Sequence, residues 1–208
     1  MIISVINQKG GVGKTTLTVN LAGAMALTGA RVLVLDADHQ GSALDWVAAR
    51  QTPPLFPVVG LPKHTIHRDL PALSVGFDHV VIDGPPRVAE VTRSAMMASD
   101  FVLIPVQPSP YDVWAAAEVV KLLREAAAFK EKLKSAFVIN RKIANTAIGR
   151  DVQEALAGFE LPVLKATLSQ RVIFAESASQ GLTVLEAAPD SAAAQEVREL
   201  FAEIRGLA

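Results

Sequence analysis

The stretch "NQKGGVGKTT", Asn7–Thr16, decides the fold. It follows a short apolar run, Ile2 to Ile6, and leads into a helical pattern from Thr15 to Thr28 that Gly29 closes. Strand, glycine-rich turn and helix in that order make a cradle for phosphates. Gly10, Gly11 and Gly13 let backbone amides approach phosphate oxygens, and the helix amino end adds partial positive charge. Val12 and Thr16 complete the loop, Lys14 reaches the outer phosphates, and the Thr15 hydroxyl suits a magnesium ion. By chance, K-G-G-x-G-K-T-T arises in such a chain on the order of once in a million. Two details remain. The usual loop begins with a glycine five residues before Gly13, where this chain has Gln8, and Lys9 is a second lysine that phosphate binding by itself does not need.

Outward from the loop, apolar runs alternate with longer alanine- and leucine-rich stretches. This predicts an α/β fold, a mostly parallel twisted sheet with helices on both faces. The clear strands are Ile2 to Ile6, Val32 to Leu35, His79 to Ile82, Phe101 to Val106 and Ala136 to Ile139, nearly all apolar as central parallel strands are. Pro162 to Leu164 and Thr183 to Leu185 are weaker strand signals. Helices are expected at Ala43 to Arg50, Val91 to Ala98, Tyr111 to Phe129, Ile148 to Ala157 and Ser191 to Ile204, besides the one after the loop. Ser109, Pro110 and Asp112 supply a capping hydroxyl, a first-turn proline and an acid, a good helix start. Gln51 to Pro62 reads as a surface excursion.

The composition sets limits. A chain of 208 residues, half apolar, buries one sizeable core. A net charge of −1 leaves any nucleic-acid contact to a local patch. Without cysteine there is no disulfide, thiolate metal site or cysteine-held cluster. No apolar run reaches the ~20 residues of a membrane span, and the amino terminus enters a strand pattern directly, so a cytoplasmic protein is expected.

Acids at strand ends are the next candidates. Asp83 ends the run "VVIDGPP", Val80 to Pro86, where a carboxylate usually holds a magnesium-bound water. Asp36 and Asp38 stand two apart at a strand end, so they are expected to face the same side, toward the phosphates. Asp38 is assigned to orienting the attacking water and Asp36 to supporting magnesium or the adjoining switch, with a helix cap an equally simple role for Asp36. His64 and His67 are three apart on an expected helix, but no third metal ligand is near, and a solvated helix accounts for them.

The form "KGGVGKTT" resembles the deviant Walker A loop of the ParA/MinD family of P-loop ATPases. Further motifs of that family follow in order. "LVLDADHQGSA", Leu33 to Ala43, resembles its D-x-D-P-Q switch, with His39 for the proline, and "VVIDGPP" follows. "VLIPVQPSPYD" (Val102 to Asp112), "FVINRK" (Phe137 to Lys142) and "TLSQRVIFAES" (Thr167 to Ser177) complete the set and point to the small ParF-type partition proteins. The resemblance implies one P-loop ATPase domain over residues 1–208, using ATP and Mg2+. It places Asn140 and Arg141 at the adenine, where an amide offers both donor and acceptor, although a plain turn also explains them. It implies that Lys9 reaches across an ATP-dependent homodimer to the partner's phosphates, offsetting repulsion between two facing triphosphates.

By that resemblance the protein partitions DNA. The dimer binds nucleoid DNA without sequence preference, and a ParB- or ParG-like centromere-binding partner stimulates hydrolysis. Lys142, Arg150, Lys165 and Arg171 are the candidate DNA cations, with scattered surface charge the alternative. A second reading keeps the ATPase but gives it a protein cargo, such as a chemoreceptor cluster or microcompartment. A third, a metabolic ligase such as dethiobiotin synthetase, is opposed by Lys9 and the D-x-D segment. A membrane-switching relative is disfavoured because the stretch from Ala192 onward, "AAAQEVRELFAEIRGLA", is not basic.

Overall fold

The computed structural model describes residues 1–143 and 148–207. Its strands are β1 (Ile2–Val5), β2 (Val32–Asp36), β3 (Val58–Gly60), β4 (His79–Asp83), β5 (Phe101–Val106) and β6 (Lys134–Ile139). The helices are α1 (Lys14–Ala26), α2 (Ser42–Ala48), α3 (Ile66–Leu73), α4 (Ala89–Ala98), α5 (Pro110–Ala127), α6 (Ile148–Ala157), α7 (Ile173–Ser179), α8 (Val184–Ala187) and α9 (Ala192–Leu207). The strands form one sheet in the order β3-β2-β4-β1-β5-β6, with every pairing parallel.

The apolar runs bury both faces because successive side chains point to opposite sides. Val32 and Val34 join one core with Phe101 and Leu103, while Leu33 and Leu35 join the other with Val102 and Ile104. The first core lies under α1, α8 and α9, and the second under α3, α4, α5 and α6. Parallel strands all end at the same sheet edge. In register, Asp83 sits beside both Val5 and Asp36, so the loop after β1 and two acids emerge together.

Four expectations change. Val58–Gly60, inside the proline-rich excursion, is an edge strand paired to β2, too short and too exposed for a periodic signal. Thr183 to Leu185 is not a strand: Thr183 caps α8, its hydroxyl accepting from the Glu186 amide while Glu186 bonds back. This capping box outweighs the β-branched pair Thr183–Val184. Pro162 to Leu164 makes only one isolated bridge, between Val163 and Phe137. Ser109 does precede α5, but its hydroxyl makes no capping bond.

The connection to α8 is held by a buried ion pair. Arg50 Nη2 lies 2.5 Å from Glu186 Oε1, with side-chain exposures of 5% and 15%, and Arg50 Nη1 also donates to the Gly181 carbonyl. Gly181 has φ +65, and a Cβ there would lie 2.7 Å from the Arg50 and Trp46 backbones. Removing one member of such a pair leaves an uncompensated buried charge. Arg50→Ala is therefore expected to destabilise the protein by about 3 kcal/mol in urea unfolding. Adding Glu186→Gln should recover part of that loss.

Candidate nucleotide site

The loop is shaped by what does not cap α1. Gly13, its N-cap residue, sits at φ 92 and ψ 26, and no side chain bonds to the helix amino end. The first amides of α1 are thereby left facing the loop. The side chains gripping the loop come from elsewhere. Asn7 Nδ2 donates to the Pro105 carbonyl at 2.7 Å, and Asn7 Oδ1 accepts from the Lys9 amide. Gln107 Nε2 donates to the Gly11 carbonyl at 3.0 Å. Gln8, in place of the usual glycine, is buried with its amide 3.4 Å from the Thr92 hydroxyl.

Asn140 braces the loop while lining the cavity beside it: its Nδ2 donates to the Val12 carbonyl at 2.7 Å. The contact is tight because a Cβ on Gly13 would lie 2.3 Å from that nitrogen. Arg141, at φ 54, is exposed and lines a cavity of about 830 Å3 with Gly13, Thr16, Lys142, Arg171 and Phe174. That volume suits a nucleotide.

At the floor, Thr15 Oγ1 donates to Asp83 Oδ2 at 2.6 Å, and Thr18 Oγ1 lies 3.4 Å from Oδ1. Burial pushes the Asp83 carboxyl up to about 7, opposed by the Thr15 hydrogen bond and reinforced by Asp36. A half-buried hydroxyl and a buried acid in contact, the acid short of compensating charge, fit a hard divalent cation with oxygen ligands. Lys14 Nζ is 3.2 Å from the Lys9 carbonyl, and burial lowers its pKa against the raising effects of Asp83 and Asp38.

The two acids of the D-x-D segment diverge. Asp36 is fully buried; its Oδ1 accepts from the Asp38 amide and its Oδ2 from the Ala43 and Leu44 amides. It ties the switch loop to the start of α2, the switch-supporting and capping role. Asp38 is half-exposed, with Oδ1 accepting from the Gln40 amide. β2 ends at Asp36 and the chain then turns, Gly41 bonding back to the Asp38 carbonyl, yet both acids stay close enough to Asp83 to raise its pKa. Asp38 still lies near enough to Lys14 to raise its pKa.

Lys9 does not point at the phosphate cradle. Its Nζ is 2.5 Å from Asp112 Oδ2, with exposures of 38% for the lysine and 1% for the acid. Asp112 Oδ1 has no hydrogen-bond partner among the described residues, so Lys9 is its charge compensation. The sequence marked Asp112 only as a helix-start acid.

The expected DNA cations have varied surroundings. Lys142 and Arg171 line the nucleotide cavity, and Arg171 pairs with Glu196 at 2.8 Å. Lys165 is exposed, and its amide bonds to Glu203 of α9. Arg150 is on α6, but its side chain lies outside the described residues. His67 Nδ1 meets the Ser94 hydroxyl at 2.8 Å, and no group of three metal-binding side chains occurs among the described residues. No helix of the described residues is long and apolar enough to cross a membrane.

Residues 3–184 match the CobQ/CobB/MinD/ParA nucleotide binding domain family model. The chain is 31% identical over 206 residues to the maintenance of carboxysome distribution protein A of Halothiobacillus neapolitanus, covering 97% of this chain and 95% of the relative. It is 31% identical over 234 residues to the chromosome-partitioning ATPase Soj of Thermus thermophilus, covering 97% and 94%. The septum site-determining protein MinD of Pyrococcus horikoshii, solved with Mg-ADP, has the same fold, with a TM-score of 0.78, 22% identity and coverage of 99% and 96%.

Two variants test the site. Gly13→Ala forces a Cβ into the Asn140 amide at positive φ, so nucleotide affinity should fall at least about tenfold by calorimetry and the strained backbone should lower the thermal transition as well. Asp83→Asn addresses pH. The folded chain keeps a proton on Asp83 up to about pH 7, whereas the unfolded chain releases it near pH 4. The nucleotide-free protein therefore loses stability as pH rises from about 4 to about 7, then levels off. The asparagine variant should flatten this decline in urea unfolding, leaving the smaller Asp36 contribution, which runs the same way. It should also lose magnesium-dependent turnover.

Proposed function

This chain belongs to the CobQ/CobB/MinD/ParA family, whose ParA and MinD members are ATPases using magnesium and ATP, and we propose that it is a ParA-type partition ATPase whose ATP-loaded homodimer binds DNA. The observation that carries this reading is Lys9. A lysine in the phosphate loop that is held by Asp112, away from the cradle, balances that buried acid but has no phosphate to meet within its own subunit. A second subunit bringing its own triphosphate supplies one.

The chain's residues divide the work. The amides of Gly10 to Thr16 and the Lys14 ammonium hold the phosphates. Thr15 and Asp83 would hold the magnesium ion, which would supply positive charge to offset the phosphates. Asp38 orients the attacking water and takes its proton, and Asp36 fixes the loop that carries it. Arg141 and Phe174 line the base end. Lys9 leaves Asp112 for the partner's phosphates. Since that departure uncovers a buried carboxylate, dimerisation waits for a triphosphate strong enough to replace the contact. Hydrolysis removes the attraction and the dimer separates.

In the full reading, the dimer is cytoplasmic and nucleoid-associated, binds DNA non-specifically through Lys142, Lys165, Arg171 and Arg150, and responds to a ParB- or ParG-like partner. A protein cargo is a second reading, favoured by the 31% identity over 97% of this chain to a carboxysome distribution protein. Both use the same switch.

Lys9→Ala should bind ATP with unchanged affinity yet remain monomeric on sedimentation with ATP and magnesium. A variant that still dimerises would overturn the role of Lys9. Asp38→Ala should bind ATP, dimerise and persist on DNA with turnover abolished; unchanged turnover would move the water-positioning role elsewhere. Affinity capture with this locked variant, followed by DNA binding at two salt concentrations, separates a DNA cargo from a protein cargo.

A further inference from the structure

The chain has two tryptophans, and they are treated oppositely. Trp46 is buried and stacked on Phe56, whereas Trp114 is 66% exposed. Beside it Tyr111 is 70% exposed, the two rings meeting edge to face at 5.3 Å. Both lie in the first turn of α5, on either side of Asp112 and Val113. The side chain between them that matters is Asp112, and it holds Lys9. Gln107, in the loop leading into α5, grips the Gly11 carbonyl, so this aromatic rim is tied to the phosphate loop at a second point.

We infer that Tyr111 and Trp114 are the apolar anchor by which a second copy of this chain docks in the ATP-bound state. The inference rests on the proposed function, because it takes the crossing of Lys9 from that reading. Lys9 begins its crossing from the Asp112 carboxylate, one residue from Tyr111 and two from Trp114 in the first turn of α5. Whatever surface receives the ammonium also meets the rim, and in a two-fold dimer the same patch is offered from both sides. Each ring covers about 150–250 Å2 when buried. Two rings thus supply roughly a third or more of the ~800 Å2 per partner of a standard interface. They provide the non-directional attraction that a charge crossing lacks, while the Lys9 crossing makes docking depend on nucleotide.

The test uses the full chain with Trp46→Phe, leaving Trp114 as sole reporter, plus magnesium and a non-hydrolysable ATP analogue. Sedimentation gives the mass, and acrylamide quenching gives the exposure of Trp114. If Trp46→Phe does not fold, the wild type with Trp114→Phe as the subtraction gives the same reading. The expected result is a dimer in which quenching of Trp114 falls. Tyr111→Ser with Trp114→Ser should then weaken ATP-dependent dimerisation by about tenfold or more while nucleotide affinity stays unchanged. A dimer whose Trp114 quenches as in the monomer overturns the inference, as does a double variant that dimerises normally. Protection of Trp114 only on adding DNA or another protein also overturns it. A wild type that forms no dimer with the analogue sinks the proposed function itself, a different outcome from the others.

Discussion

The open amino end of α1 is the constraint around which the site is arranged. A side-chain cap there would satisfy the helix donors and remove the cradle, so Gly13 supplies a left-handed backbone and nothing more. The loop must then be held from outside itself. Asn7 reaches the end of β5, Gln107 reaches back from beyond β5, and Asn140 reaches across from beyond β6. Three strand ends at one sheet edge make this grip available, which is a property of parallel pairing. The fit between Asn140 and Gly13 leaves no room for a methyl group.

The same convergence gathers charge that would be unfavourable if left alone. Asp36 and Asp83 are register partners on adjacent strands, and both are buried. They are stabilised differently. Asp36 accepts three backbone amides and becomes part of the switch framework. Asp83 has only hydroxyl donors and is pushed up to about 7, an arrangement that a divalent cation relieves. Lys14 is depressed by burial in the same place. The nucleotide-free site is thus short of the charges that its ligand brings.

The Lys9–Asp112 pair extends this logic to the surface. Asp112 is almost wholly buried with one oxygen unpaired, so moving Lys9 away exposes an unbalanced charge. That sets a threshold on the proposed crossing, which a facing triphosphate would overcome and a diphosphate would not. Of the cations proposed for DNA, Arg171 is already paired with Glu196, and Lys142 lines the nucleotide cavity.

Much of this was legible in local pattern. "NQKGGVGKTT" between a strand and a helix, the doubly buried strands, and an acid ending β4 are determined by spacing and side-chain type, and the fold agrees with them. The capping box Thr183-x-x-Glu186 was also written in the chain, although its β-branched residues suggested a strand. What only the tertiary structure decided was the pairing of groups distant in sequence. Asp112 meets Lys9 across 103 residues, and Asn140 meets Val12 across 128. Asp36 meets the Ala43 and Leu44 amides because the chain turns after β2, so a strand-end acid ends up bonded to the start of α2. Periodicity specifies what a side chain faces within its own element; the register of the sheet decides which other element it finds there.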